Sequence, residues 1–327
     1  MAARVDIVIV NWNSGHYLAE CLESIRTFGG SALCKIVIVD NGSTDDSLNI
    51  DTHDQPLEIM RVGANLGFAK ACNVAALKCN SPYILFLNPD ARLMENALDR
   101  ALAFMESGAA AHTGICGVRL IDGNGETQRH CARFPVWRTF VGRAMGLEGK
   151  FPKLFPSNFM WEFDHLTSRT VDDVIGAFFL VRRNVFLQLA GFDERFFVYF
   201  EEVDFSLRAR QAGWSTWYLA DAVAFHKGGG SSERVKATRL FYSLRSRILY
   251  AIKHFSRSEA LAVIGFTLCV EPIARLLRAL LRASGQEARD TLRGYVRVWK
   301  GMPALLRLSR GEGASSRYDR TVSSREK

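Results

Sequence analysis

Residues 5–44 read VDIVIVNWNSGHYLAECLESIRTFGGSALCKIVIVDNGST, and this stretch decides the fold. Two β-branched runs, VDIVIV and KIVIV, predict buried strands at 5–10 and 35–39. Apolar side chains recur at helical spacing between them and predict a helix over 16–28, namely Leu18, Cys21, Leu22 and Ile25. Near-continuous apolar strands that alternate with a helix predict a parallel sheet covered on both faces.

The same alternation continues along the chain. It predicts strands at 57–62, 83–87, 115–120, 174–181, 214–218 and 222–225, and helices that begin at 45 or cover 68–78, 94–107 and 139–145. Between 122 and 170 glycine, proline and aromatic residues follow no clear period, so that we predict a long loop region around the helix at 139–145. The expected class is α/β with a mostly parallel central sheet.

Composition excludes several classes of protein. The chain has 327 residues, of which 48% are hydrophobic and 23% charged, as in ordinary globular proteins. Its seven cysteines are scattered without a CxxC pair, which indicates reduced thiols and argues against a zinc site. No signal-peptide pattern precedes the first strand, so that we expect a cytoplasmic location.

The positive charge is concentrated at the end of the chain. Residues 233–327 hold 20 Lys and Arg against 8 Asp and Glu, whereas residues 1–232 hold 22 against 26. A Gly and Ser run at 228–232 predicts a flexible boundary. We therefore predict three parts: a domain at 1–232, a basic amphipathic helical extension at 233–310, and a disordered polar tail at 311–327.

One segment of the extension bears on membranes. The apolar run at 260–270 has 11 residues, fewer than the roughly 20 that a spanning helix needs. An apolar stripe follows beside Arg275, Arg278 and Arg282, made of Ile273, Leu276, Leu277, Leu280 and Leu281. This stripe fits a helix at an anionic membrane surface and equally a helix packed on protein. No nucleic-acid-binding motif accompanies the basic residues.

Polar residues follow three of the predicted strands. Asp40 opens a loop of small polar residues that suits close approach of a ligand but is also an ordinary turn. The segment NLGFAKACN at 65–73 enters a helix, which suits a diphosphate or a simple helix cap. Asp90, directly after a strand, fits the one or two carboxylates with which proteins hold Mg or Mn beside a phosphate. His226 ends a strand, and a single histidine at such a position is more often structural than a ligand.

The stretch GFDERFFVYFEEVDFSLRARQAGW at 191–214 places carboxylates at the start of a predicted helix. Glu201, Glu202 and Asp204 lie in its first turn, where the helix dipole and free N–H groups favour the ionised state that a general base needs. Acidic residues also stabilise first turns without any catalytic role, and Asp204 has the spacing of an ion pair with Arg208.

Six motifs in this order resemble the family 2 inverting glycosyltransferases, most closely their rhamnosyltransferase branch: VDNGSTDDS, NLGFAKACN, LNPDA, VIGAFFLVRR, the carboxylate stretch and AFHKGGGSS. The resemblance covers roughly residues 4–232 and implies a nucleotide-sugar-binding fold of the GT-A type. It implies an inverting transfer of a sugar, with rhamnose favoured, from a dTDP- or UDP-linked donor. The implied acceptor is a saccharide or a lipid-linked glycan in cell-surface polysaccharide synthesis, at the inner face of the membrane.

The resemblance also implies roles for single residues. Glu202 falls on the catalytic base, with Glu201 and Asp204 as alternates, and Asp90 with His226 falls on the ligands of a divalent cation, Mg or Mn. The donor is expected to contact Asn11, Asn13, Asp40, Asn65, Gly67, Lys70, Asn73, Asn88 and Gly176. Two departures stand out: the metal motif is NPD instead of DXD, and the base is Glu where the family more usually has Asp.

Two other classes of function compete with glycosyl transfer. A sugar nucleotidyltransferase shares a similar core but needs a glycine-rich basic loop after the first strand, where this chain has NWNSGHY. A catalytically inert binding or scaffold protein would use the carboxylates only to cap a helix.

Overall fold

A computed structural model of the chain describes residues 4–50, 56–148, 150–228 and 236–309. The chain forms two compact units. The first contains the chain up to Arg133, Phe159–Glu194, and the segment from Glu201 onward that ends in the last strand. The second contains Phe134–Asn158, Arg195–Phe200 and the helices from residue 236 onward.

The first unit is an α/β structure. Its strands are β1 Val5–Asn11, β2 Leu33–Asp40, β3 Leu57–Arg61, β4 Tyr83–Leu87, β5 Ala91–Leu93, β6 Thr113–Ile121, β7 Arg169–Val171, β8 Phe178–Arg182 and β9 Ser215–His226. Its helices are α1 Tyr17–Phe28, α2 Phe68–Ala76, α3 Ala97–Glu106, α5 Arg183–Gln188 and α6 Glu201–Gln211.

The nine strands form one sheet in the order β3-β2-β1-β4-β8-β6-β9-β5, with β7 paired to β9. Strands β3, β2, β1 and β4 are parallel neighbours, as predicted from the first 87 residues. Beyond β4 the sheet is mixed, because β8 runs antiparallel to both β4 and β6 while β6 and β9 are parallel. The carboxyl ends of β1, β2 and β4 therefore share one edge, where open α/β sheets bind ligands.

Both faces of the sheet are buried. Val5, Ile7 and Ile9 of β1 enter one apolar core, whereas Val8 and Val10 enter the other. Since successive strand residues point to opposite faces, this alternation places β1 between two layers of packed side chains. The near-continuous apolar run that predicted a covered strand is explained by this position.

Several predicted elements differ from the structure. The helix predicted from residue 45 is a 3₁₀ turn, Asp46–Leu48, because the Asp45 carboxylate accepts from the N–H of Ser47 and fixes a tight turn. The strand predicted at 174–181 is β8 Phe178–Arg182, because Asp173 pairs its backbone with Ala132 instead. The two strands predicted at 214–218 and 222–225 are the single strand β9.

The second unit is helical. Its elements are α4 Trp137–Met145, α7 Lys236–His254, α8 Arg257–Gly265, α9 Glu271–Leu281 and α10 Gly285–Ser309, with a π-helical turn, Phe266–Val270, between α8 and α9. Among the described residues one continuous helical run, Arg257–Leu281, has the length and composition of a membrane span, and an 18-residue window within it has a mean hydropathy of 1.8. The predicted boundary after residue 228 and the predicted tail at 311–327 lie outside the described residues.

Candidate functional site

Asn11 organises the carboxyl ends of β1 and β2. Its side-chain N–H groups face Asp40 Oδ1 at 3.0 Å, Ser43 Oγ at 3.0 Å and Ser47 Oγ at 2.9 Å. Its Oδ1 accepts a hydrogen bond from Ser14. Asn11 and Asp40 are also cross-strand partners and both are buried. The structure thus brings two predicted donor-binding residues together and uses the Asn11 amide to hold Asp40 in place.

Asn13 closes the loop above this pair. Its backbone N–H donates to Ser43 Oγ at 3.0 Å, and its Oδ1 accepts from the N–H of Thr44 at 2.8 Å. Asn13 adopts a φ of 48°, in the left-handed region that Asn tolerates better than most residues. The loops after β1 and β2 are therefore tied to each other over Asp40.

Asn41 links the loop after β2 to the start of α2. Its Nδ2 donates to the carbonyl of Gly67 at 3.2 Å, and its Oδ1 accepts from the N–H of Leu66 at 3.3 Å. Asn65 Oδ1 in turn accepts from the N–H of Gly67 at 2.9 Å. Gly67 has a φ of 82°, which a side chain would strain. Asn65 and Gly67 thus lie beside the Asp40 loop, as the donor-site prediction requires.

Lys70 and Asn73 lie further along α2, against the loop at 191–194. Asn73 Nδ2 donates to the carbonyl of Phe192 at 2.8 Å, and its Oδ1 accepts from the N–H of Phe192 at 2.9 Å. Lys70 Nζ lies 3.8 Å from a carboxylate oxygen of Glu194. Both of these hydrogen bonds join the Asn73 side chain to the backbone of the loop. Half-exposed Lys70 places a positive charge at the start of α2.

Asp90 and His226 meet where β5 pairs with β9. His226 Nε2 lies 3.5 Å from Asp90 Oδ1, and both side chains are largely buried. Gln128, which the sequence analysis did not single out, completes the cluster. Its Nε2 donates to the backbone carbonyl of His226 at 2.6 Å, and its Oε1 lies 3.1 Å from His226 Nδ1.

Gln128 orients the His226 ring. A backbone carbonyl only accepts hydrogen bonds, so that the Gln128 amide must turn its N–H toward it and its oxygen toward Nδ1, which therefore carries a proton. Nε2 is then the ring nitrogen that faces the Asp90 carboxylate. A carboxylate oxygen suits Mg and Mn alike, whereas an imidazole nitrogen favours Mn of the two.

This cluster supplies only two ionisable ligands. Over the described ranges no group of three or more His, Cys, Asp or Glu side chains is arranged for a metal ion. Asn88 lies beside the cluster, and its N–H donates to the carbonyl of Ala177 at 3.0 Å. Gly176 precedes Ala177 in the chain, and a Cβ built on Gly176 meets no atom within 4 Å.

Three carboxylates surround the start of α6. Glu201 and Asp173 are buried, and one carboxylate oxygen of Glu201 and one of Glu202 has no hydrogen-bond partner in the described chain. Burial raises the pKa of all three carboxyls, and mutual repulsion raises the pKa of Glu201 and Asp173 further. Backbone N–H groups at the helix start favour the charged form of Glu201 and Glu202, as expected, but burial opposes them and raises the pKa of both carboxyls.

Asp204 has a different environment. Its carboxylate accepts from Arg208 Nε at 2.8 Å, as the i,i+4 spacing predicts, and it is fully buried. Arg208 also donates to the carbonyls of Leu189 at 2.7 Å and Gly191 at 2.8 Å. Asp204 therefore anchors α6 to the preceding loop, which leaves Glu202 and Glu201 as the carboxylates of α6 with an oxygen free of hydrogen bonds.

Three functional candidates were absent from the sequence analysis: Asn41, Gln128 and Asp173. Asn41 follows Asp40 directly, so that its position at a strand end was a usable signal. Asp173 follows Asp172, and only the fold separates them: Asp172 pairs with Arg210 near the surface, whereas Asp173 accepts from Ser206 Oγ in the interior. Gln128 lies in the aperiodic region, 98 residues from His226, and no pattern links the two.

Two relatives align with most of the chain. An N-acetylglucosaminyl-diphospho-decaprenol L-rhamnosyltransferase of Mycobacterium tuberculosis is 27% identical over 264 residues, which are 76% of this chain and 84% of the relative. The rhamnosyltransferase WbbL of Escherichia coli is 27% identical over 256 residues, which are 75% of this chain and 92% of the relative.

The fold and the family agree with these alignments. The mannosyltransferase PcManGT from Pyrobaculum calidifontis, solved with GDP-Man and Mn²⁺, superposes with a TM-score of 0.53 at 16% identity and covers 95% of this chain and 87% of its own. This likeness confirms the predicted GT-A fold. The sequence profile of Glycosyl transferase family 2 matches residues 6–189, more than half of the chain. The chain therefore belongs to glycosyltransferase family 2.

Proposed function

We propose that this glycosyltransferase transfers rhamnose, with inversion, from a dTDP- or UDP-linked donor to a lipid-linked saccharide. The observation that carries the choice of sugar is the alignment of two rhamnosyltransferases over three quarters of the chain. Family membership favours glycosyl transfer over the nucleotidyltransferase and scaffold alternatives. The M. tuberculosis relative, by its name, glycosylates a diphospho-decaprenol carrier, which supports a lipid-linked acceptor.

The donor end of the site lies along the carboxyl edge of the sheet. Asp40, held by Asn11, would contact the nucleobase, and the N–H groups at the start of α2 suit the diphosphate. Asp90 and His226 would hold a divalent cation, which neutralises charge on the leaving diphosphate when it is bound. The complex of PcManGT with Mn²⁺ supports this assignment by analogy of fold alone.

The acceptor end lies at α6. In the proposed reaction the acceptor hydroxyl oxygen forms a bond to the anomeric carbon while the bond from that carbon to the diphosphate oxygen breaks. The nucleoside diphosphate leaves with the electron pair, and Glu202 takes the hydroxyl proton on its carboxylate. Burial raises the pKa of Glu202, which makes this carboxylate a stronger base than an exposed Glu.

The proposal places the enzyme in the cytoplasm, at the inner face of the membrane where a lipid carrier is accessible. Nucleotide sugars and lipid-linked acceptors meet there, and the helices of the second unit carry exposed apolar side chains. The acceptor chemistry and the location are thus two parts of one proposal.

A donor panel tests the reaction. Purified protein is incubated with dTDP-rhamnose, UDP-rhamnose and UDP-GlcNAc plus a lipid-linked saccharide, with Mn²⁺ or with a chelator. We expect product from a rhamnose donor and its loss with the chelator. Product from UDP-GlcNAc alone would overturn the choice of sugar, and pyrophosphate release without glycoside would favour the nucleotidyltransferase alternative.

Two substitutions test the site. Glu202→Gln keeps shape but cannot accept a proton, so that turnover is expected to fall by roughly 10²- to 10⁴-fold while donor affinity is retained. Glu201→Gln is the matched control one position away, and turnover lost there instead would move the base to Glu201. Asp90→Ala is expected to weaken donor binding only when Mn²⁺ is present, as measured by calorimetry; an unchanged metal dependence would remove Asp90 from the site.

A further inference from the structure

The surface of α9 and α10 carries two exposed apolar stripes. On α9, Ile273, Leu277, Leu280 and Leu281 lie on one side of the helix and are 55–90% exposed. On α10, Leu292, Val296, Trp299 and Leu306 recur at intervals of four, three and seven residues and are 40–49% exposed. Four large apolar side chains in a row on each of two helices are more than scattered surface residues.

These stripes are not the faces with which the helices pack. The buried residues of α9 and α10 are others: Glu271, Pro272, Ala279, Thr291, Gly294, Tyr295, Val298 and Leu305. A Cβ on Gly294 would lie 2.9 Å from a methyl carbon of Leu240, so that α10 meets α7 through this small residue. Packing within the second unit therefore uses one side of each helix and leaves the apolar stripe outward.

An ion-pair network holds α9 on its inner side. Glu271 is buried and accepts hydrogen bonds from Arg247 of α7 and from Arg275 Nε, the latter at 2.9 Å. Burial alone would raise the pKa of Glu271, but the two arginines outweigh it and hold the pKa below its usual range. The ion pairs of Glu271 thus lie on the side of α9 that faces the protein, and the apolar stripe lies on the opposite side. A helix with a charged side and an apolar side is typical of helices that lie in a membrane interface.

Cations accompany both stripes. Arg278 follows Leu277 on α9, and on α10 the exposed residues Arg293, Lys300 and Arg307 each directly follow a stripe residue. Residues 271–309 hold eight Lys and Arg against three Asp and Glu. Apolar stripes bordered by cations match an interface in which acyl chains lie next to anionic headgroups. Two copies of this surface would bring like charges together, which disfavours a dimer through the same face.

We propose that the outward face of α9 and α10 binds an anionic membrane surface, with both apolar stripes inserted in parallel. The cations beside the stripes contact the lipid headgroups. This inference gives the membrane location of the proposed function a defined surface, and its test needs no glycosyl transfer, so that either can fail without the other.

Vesicle flotation with the full-length chain tests the surface. We expect binding to vesicles of phosphatidylcholine with phosphatidylglycerol and much weaker binding to phosphatidylcholine alone. Leu277→Gln with Leu281→Gln should lower the affinity by at least about 100-fold, since each buried leucine contributes a factor of at least about 10. Arg293→Gln with Lys300→Gln should lower the affinity for anionic vesicles by about 5-fold per charge at low salt.

Leu77→Gln with Leu187→Gln is the matched control, because both leucines are exposed on the first unit. Trp299 reports insertion directly: its fluorescence should shift to the blue with anionic vesicles, and the shift should vanish in Trp299→Phe. Binding equal in the stripe and control variants would overturn the proposal. So would a wild-type dimer in light scattering that Leu277→Gln with Leu281→Gln dissociates, since a second copy would then cover the stripes.

Discussion

Gln128→Leu should weaken cation binding without touching a cation ligand. Leucine has a similar length but offers neither an acceptor to His226 Nδ1 nor a donor to the His226 carbonyl. The His226 ring then loses the contacts that place its proton on Nδ1, and the tautomer with a proton on Nε2 becomes accessible. An Nε2–H directed at Asp90 would occupy the position that the cation needs.

The size of the effect follows from the two contacts at 2.6 and 3.1 Å. Each hydrogen bond contributes a net free energy of about 0.5–1.5 kcal/mol, so that the two together stabilise the observed orientation of the His226 ring by about 1–3 kcal/mol. This free energy corresponds to roughly a 5- to 150-fold loss of affinity, in line with the roughly 10–100-fold effect of losing an outer partner of a metal-binding His.

Electron paramagnetic resonance titration of Mn²⁺, with dTDP or UDP present, measures the affinity directly. Gln128→Glu keeps an acceptor for Nδ1–H and should retain most of the Mn²⁺ affinity. Gln188→Leu is the matched control, because Gln188 accepts from Trp214 Nε1 away from the cluster. Mn²⁺ affinity unchanged in Gln128→Leu, with urea unfolding also unchanged, would refute the positioning role.

Three further predictions concern pH and stability. Asp204→Asn should destabilise the fold by about 2–3 kcal/mol in urea unfolding, because it removes the buried carboxylate that neutralises Arg208, whereas Asp172→Asn, which breaks a more exposed pair with Arg210, should cost less than about 1 kcal/mol. Since burial raises the pKa of Glu202, kcat/KM should fall as pH drops through a value above the ordinary 4.5 of Glu, and a limb at 4.5 would contradict the assignment. Burial lowers the pKa of His130 to about 3 from an ordinary 6.5, so that stability is lost as pH falls below 6.5, by about 2 kcal/mol at pH 5, and His130→Gln should reduce this loss.

The part of the fold that could be predicted is the part with a strong period. Strand β4 begins and ends where predicted, and β1 and β2 extend at most two residues beyond the predicted ranges, because each combines a clear apolar pattern with turn residues. Strands β5 and β7 have three residues each, too few to show any period. Their pairing with β9 is decided by contacts distant in sequence.

The candidate site also has a part that could be predicted from the sequence and a part that could not. Asp40, Asp90 and His226 could be predicted as candidates because strand ends point to the ligand edge of such a sheet. The raised pKa values of Glu201 and Glu202 could not be predicted. A first-turn carboxylate looks the same in sequence whether solvent or an apolar interior surrounds it. Asp173 illustrates the limit: burial raises the pKa of its carboxyl well above the usual range, and nothing in the local sequence indicates that burial.

The pairing of strand β9 with β6 is interrupted in the middle of the strand. Leu219 pairs with Val118 and Val223 with Arg119, so that residues 220–222 have no partner on β6. An irregularity of this kind absorbs a change in chain length while the segments on either side keep their register. Insertions and deletions arising during evolution should therefore survive within 220–222. A residue gained or lost between Val223 and His226 would instead turn the His226 imidazole to the opposite face of the sheet. The imidazole would then no longer face Asp90, and activity would be lost.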